Sequence, residues 1–261
     1  MTNEGETMTE QKKKPVQKRK WWFRFMKSLT RGRYKKPKFV YLGEKRFDEG
    51  CIILSNHEGT DAPMSWELYC DEPIRMWGAH EMNSGLVKMY KYQSRVYYHE
   101  KKGWNLFGAR MFCLIASPIT NLYYKGLNLI STYRDGRFLK TLRESVATLQ
   151  AGANIVIYPE ISDNGYLAEL EGFHKGCVAL MELCHKKGMD TPIFVTYFRK
   201  SDLTYIIDKP VYYKDLAANG ETKDEIAKKL LDRCNELGKM TFTDEAAKPV
   251  EKTEGNSAIS A

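Results

Sequence analysis

The sequence predicts an α/β domain, a mostly parallel central sheet flanked by helices, behind a basic N-terminal interfacial segment. Three observations predict it. Short apolar runs alternate with helix-period segments. Two of those helices stop on a glycine, and the last one opens on a capping box.

Taken in order, residues 39–42 and 51–55 are apolar runs of strand length, separated by a polar stretch at 43–50. Further strands are predicted at 74–77 and 127–132, and Asp135 with Gly136 gives a turn signal. Over 137–151, Leu139, Leu142, Val146 and Leu149 recur at helical spacing before Gly152 ends the helix. Residues 154–158 read as a buried strand, 175–187 as a helix stopped by Gly188, and 192–198 and 204–207 as strands. Thr222 and Glu225 form the capping box of a final helix that carries Ile226, Leu230, Cys234 and Leu237 on one stripe. The domain is therefore expected at 38–244, with disordered polar segments at 1–17 and 245–261.

The 261 residues, 43% hydrophobic, suffice for one large core. Neither a secretory leader nor a membrane-spanning run is expected; residues 109–122 read as buried or interfacial. The six cysteines show no C-x-x-C pair and no metal-ligand spacing with histidine, which suits reduced core thiols in a cytosolic setting and argues against structural zinc. The net charge of +8 is uneven. Thirteen of the 41 Lys and Arg residues fall in 11–43, which holds no Asp or Glu, leaving 28 basic against 33 acidic residues elsewhere. A basic arm on a near-neutral body fits an acidic surface better than a nucleic-acid interface, and no RNA- or DNA-binding signature is present. Within 18–37, Trp21, Trp22, Phe23 and Phe25 are interleaved with cations, as a segment in contact with anionic lipid requires.

Several blocks carry chemistry. His57 follows the strand at 51–55, with Asp61 downstream. A histidine oriented by a carboxylate beyond a strand end is the arrangement of a general base. Arg134 follows the strand at 127–132 and offers a planar donor fork to phosphate or carboxylate. Pro159 and Glu160 end the strand at 154–158, followed by Ser162, and Lys175 precedes a helix. No G-x-S-x-G elbow occurs, which sets aside a serine hydrolase.

In this order the blocks resemble the glycerol-3-phosphate and lysophosphatidate acyltransferase superfamily over about residues 38–210. That family shows an Asn-His block with a downstream Asp, a strand ending in Arg, a Phe-Pro-Glu-Gly-Thr-type block and then a Lys-Gly before a helix. The resemblance implies acyl transfer from acyl-CoA or acyl carrier protein to a hydroxyl of lysophosphatidate or a related lysolipid, at the cytoplasmic side of a membrane. It implies His57 as base with Asp61 as its partner, and Arg134, Glu160, Ser162 and Lys175 as acceptor-binding residues. It implies no metal or resident cofactor. Three residues, not the usual four, separate His57 from Asp61, so Glu58 or another acid is an alternative partner. Ile161 stands where the family has glycine, and no arginine follows, which points toward an acceptor other than a standard phosphomonoester. The aromatic stretch 79–124 is longer than in the family and suits an acyl-chain tunnel, an interfacial element or plain packing. A catalytically degenerate, membrane-associated relative is the alternative to the enzyme.

Overall fold

The computed structural model describes residues 19–44, 46, 47, 50–161 and 167–241. The disordered tails and Ser162 of the sequence reading lie outside the described residues. A seven-stranded sheet forms the centre. Its strands are β1 (Lys38–Tyr41), β2 (Ile52–Leu54), β3 (Ile74–Ala79), β4 (Ile130–Thr132), β5 (Asn154–Ile157), β6 (Ile193–Arg199) and β7 (Thr204–Ile207). Their spatial order is β1-β7-β6-β2-β5-β3-β4. All pairings are parallel except β6 with β7, which run antiparallel through the short connection at 200–203.

Eight α-helices flank the sheet among the described residues: α1 (Trp21–Arg31), α2 (Asp61–Tyr69), α3 (Leu86–Lys91), α4 (Leu106–Leu127), α5 (Phe138–Gln150), α6 (Gly176–Lys186), α7 (Tyr213–Leu216) and α8 (Lys223–Lys239). The alternation of the strands sorts the core into two layers. Ile52, Leu54, Ile155 and Ile157 point to the layer built with α5, α6 and α8. Ile53 and Val156 point to the other layer, with Trp66 of α2 and Phe23 of α1. The capping box of α8 forms as its sequence demands, Thr222 N–H donating to Glu225 Oε2 at 2.7 Å and Glu225 N–H to Thr222 Oγ1 at 3.3 Å.

The segment between β3 and β4 is where the chain departs most from the periodicity reading. It folds as α3, a π-helical stretch at Tyr92–Lys101 and the 22-residue α4. The strand expected at 127–132 begins only at Ile130, because Asn128 takes a left-handed conformation (φ 53°) and closes α4.

The N-terminal aromatics divide. Phe23 is fully buried, so its expected membrane contact is corrected: it packs over Gly126 of α4, where any Cβ would come within 1.9 Å of its ring. Trp22 is half-buried beside it. Two ion pairs hold α1 down, Arg19 and Lys27 meeting the buried Glu67 of α2 at 2.9 and 3.1 Å. Trp21 and Phe25 remain exposed.

Candidate active site

In a parallel sheet, ligands bind beyond the strand C-termini where successive connections diverge to opposite faces. β2 leads into α2, on the Trp66 face, and β5 leads through 158–175 into α6, on the opposite face. β2 and β5 are neighbours in register, with Leu54 beside Ile157. The switch point of this sheet therefore lies between them, and the residues just beyond their ends are His57 and Glu160.

The histidine loop is tightly determined. The Asn56 side chain is buried and bridges to β6, its Oδ1 accepting from Phe198 N–H at 2.6 Å and its Nδ2 donating to the Phe198 carbonyl at 2.9 Å. Thr196 Oγ1 donates to the Leu54 carbonyl at 2.9 Å. After His57 the chain turns through two residues of positive φ, Glu58 at 20° and Gly59 at 63°. The second is a left-handed conformation that favours glycine. The imidazole stands edge-on to Tyr158, with ring centroids 4.9 Å apart.

Glu160 is fixed from the other side. Residues 159–161 pair antiparallel with 172–174: Ile161 N–H donates to Gly172 O at 2.8 Å, and His174 N–H to Pro159 O at 2.6 Å. The Glu160 carboxylate is buried and accepts from the His57 backbone N–H, and its Oε1 has no donor among the described residues. A buried carboxylate oxygen without a donor costs free energy, which a ligand hydroxyl would recover.

Electrostatics separate the two groups. Burial, followed by the positive charge of Lys101, pushes His57 down to about 4 against backbone hydrogen bonds that favour its charged form. The imidazole is therefore neutral near neutral pH, the form a base starts from, while burial and Lys101 both oppose its protonation. Burial lifts Glu160 to about 7, with Glu58 adding to the rise and the His57 amide and Lys101 opposing it. Burial thus drives both groups toward their neutral forms, and perturbed titratable pairs of this kind at a sheet switch point mark a candidate site.

The remaining sequence-predicted residues are spread more widely. Asp61 starts α2 and its carboxylate meets Lys200 Nζ at 2.8 Å. Arg134 is exposed beyond β4, two strands from β5 and so about 10 Å across the sheet. It forms no ion pair among the described residues, whereas its neighbours are occupied: Arg137 pairs with Asp135 at 2.7 Å and lies over Tyr133. Lys175 pairs with Asp224 of α8 at 3.3 Å in an exposed contact. The structure thus brings His57 and Glu160 together, places Arg134 along the same edge and engages Lys175 with α8.

Sequence reasoning missed Tyr158, the pinning role of Asn56 and the reach of Lys101. The first two lie inside the recognised blocks and were legible as neighbours of His57 and Glu160. Lys101 comes from the inserted π-helical stretch and carries no local signal. A scan of known protein families and a search of curated proteins both return no match for this chain.

Proposed function

We propose that this chain is an O-acyltransferase that moves a fatty acyl group from acyl-CoA or acyl carrier protein to a hydroxyl of lysophosphatidate or a related lysolipid in phospholipid biosynthesis. It would work as a peripheral protein on the cytoplasmic side of a membrane; no described helix is long and apolar enough to cross one. The observation that carries the reading is the neutral His57 beside the buried, under-hydrogen-bonded Glu160 at the β2–β5 switch point.

In this chemistry the acceptor hydroxyl donates to His57 while its oxygen attacks the thioester carbonyl. The tetrahedral species collapses with cleavage of the C–S bond, and the proton held on His57 passes to the departing thiolate, regenerating neutral imidazole. On an acceptor that keeps a further free hydroxyl, as glycerol-3-phosphate does, that group would donate to Glu160, and Arg134 would face a phosphate group further along the edge. No covalent acyl-enzyme, metal or resident cofactor enters the reaction.

A catalytically degenerate relative is the second reading, favoured by the Asp61–Lys200 ion pair, which engages the expected partner of His57, and by Ile161 in place of glycine. The deciding experiment offers labelled acyl-CoA and acyl carrier protein to the full chain in mixed micelles with lysophosphatidate, glycerol-3-phosphate and lysophospholipids. Turnover that His57→Ala abolishes upholds the enzyme. A folded protein that turns over no donor–acceptor pair is the degenerate relative.

A further inference from the structure

From the outer faces of α4 and α1 we infer a docking surface for an anionic phospholipid leaflet, with α4 lying in the plane of the membrane. This surface stands apart from acyl transfer and needs no catalysis.

The geometry starts with α4. Its 22 residues span about 33 Å, and no charged residue falls between Arg110 and Lys125. Ala109, Cys113 and Ser117 face inward, with Ser117 Oγ donating to the buried Gln93 Oε1 at 2.8 Å. The opposite face presents Phe107, Met111, Ile115, Ile119 and Leu122 to solvent, Ile115 76% and Ile119 62% exposed. A helix resting on a protein body in water normally turns charges outward. This one turns large apolar side chains outward along most of its length, a contiguous patch of the kind that marks an interaction surface.

The patch continues onto α1. Ile115, Ile119, Leu122 and Gly126 follow helical spacing on one face of α4. Phe23 covers Gly126, so α1 sits on the C-terminal end of that same face. The side of α1 turned away from Phe23 carries Trp21, Phe25 and Leu29, all exposed. The flank of α1 is cationic: Arg19, Arg24, Lys27 and Arg31 line, with Ser28, an open depression of about 550 Å³. Arg19 and Lys27 are engaged with Glu67, whereas Arg24 has no partner among the described residues.

Charge decides the occupant. α1, α3 and α4 contain Lys and Arg but no Asp or Glu. A second copy docked by twofold symmetry would bring these cation-bearing helices against themselves. An anionic leaflet matches both features, with apolar side chains below the headgroups and cations among them.

The test is flotation of the full chain with vesicles of phosphatidylcholine alone and of phosphatidylcholine mixed with phosphatidylglycerol. The expected result is binding that the anionic lipid strengthens and that Ile115→Glu with Ile119→Glu weakens by at least about tenfold, with unchanged circular dichroism and melting temperature. Because both side chains are already exposed, this pair is expected to fold; Ile115→Ser with Ile119→Ser is the milder control and should weaken binding in the same direction. Flotation of the glutamate variant at wild-type level overturns the proposal. So does a wild-type protein that ignores vesicles and sediments as a dimer that the variant dissociates. A protein that floats as expected yet transfers no acyl group upholds the surface and removes the enzyme, so the two failures remain distinct.

Discussion

The two faces of the sheet are both covered by helices and are finished differently. On one face α5, α6 and α8 bury most of their stripes, Leu142, Val146 and Leu149, then Val178, Leu180 and Met181, then Ile226, Leu230 and Leu237, while Leu139 at the start of α5 is 59% exposed. Their outer sides carry charges, some paired, such as Lys228 with Asp232. On the other face α2 is similarly buried, but α1 and α4 bury one side and leave a second apolar side uncovered. Hydrophobic periodicity says that a stripe is buried, but not in what. On the first face the second medium is water; on the second, the outward residues imply an apolar one. The candidate corner sits between these layers, with His57 leading to the layer of α2 and Glu160 to the layer of α6.

The largest test of this division acts on the corner itself. Removing a general base lowers turnover by about 10²- to 10⁴-fold, and this loss is expected of His57→Ala in micelle assays. Ile115→Glu should leave transfer between short-chain, monomeric substrates unchanged, because that side chain belongs to the docking face. Equal losses from both variants on soluble substrates would erase the distinction between corner and surface.

Next comes a contrast within a single helix. Phe23 and Phe25 are two residues apart on α1, one 0% and the other 63% exposed. Phe23→Ala deletes a buried ring wedged against Gly126 and Tyr123 and should cost about 3–5 kcal/mol in denaturant unfolding. Phe25→Ala should stay within about 0.5 kcal/mol in water and show its effect only with vesicles. Comparable destabilisation from both would mean that α1 is packed on all sides.

These contrasts show where the sequence was readable. The α5 and α6 stops, the β2 and β5 runs and the α8 capping box each rest on local chemistry that tertiary packing did not override. The neighbourhood of His57 and Glu160 followed, because motifs at the ends of strands that pair in parallel must meet. Phe23 could not be told from Phe25, since both are aromatics flanked by cations; only the seat at Gly126, about a hundred positions away, separates them. Within the insert from α3 to α4, residues 111–124 carry no charge that could set the phase of the helix. Asp61 was expected as the partner of His57 from the resemblance, despite a spacing one residue short, whereas its observed contact is with Lys200, in the connection between β6 and β7.

Glu160→Gln is expected to act on stability and on pH dependence together. With its carboxyl lifted to about 7, the folded protein holds a proton that the unfolded chain, near 4.5, releases first. The stability this group contributes is therefore present below the unfolded value and lost as pH rises through about 7. At about pH 8 glutamine should be more stabilising than glutamate by up to about 3 kcal/mol, with only a small difference near pH 5. Thermal melts at both values check the sign. If the ionised carboxylate holds the acceptor, wild-type kcat/KM should rise through about pH 7, and the variant should be slower but lack that limb. A variant that is slower and keeps the limb would assign the titration to another group.

The smallest effect links the two regions. Lys101 ends the inserted π-helical stretch, which packs on α4, and its charge is felt at both His57 and Glu160. Neutralising it in Lys101→Gln removes a repulsion from protonated His57 and an attraction from ionised Glu160, so both groups should titrate higher. Burial remains the larger cause at each, and Lys101 is exposed, so solvent screening holds the expected rise below about one unit. An NMR titration of the His57 ring protons reads it directly. A rise that added salt diminishes would show the insert tuning the base through an exposed charge, one that anionic headgroups near the docking face would screen in the same sense. An unmoved His57 would leave burial alone in control and make the corner electrostatically independent of the surface beside it.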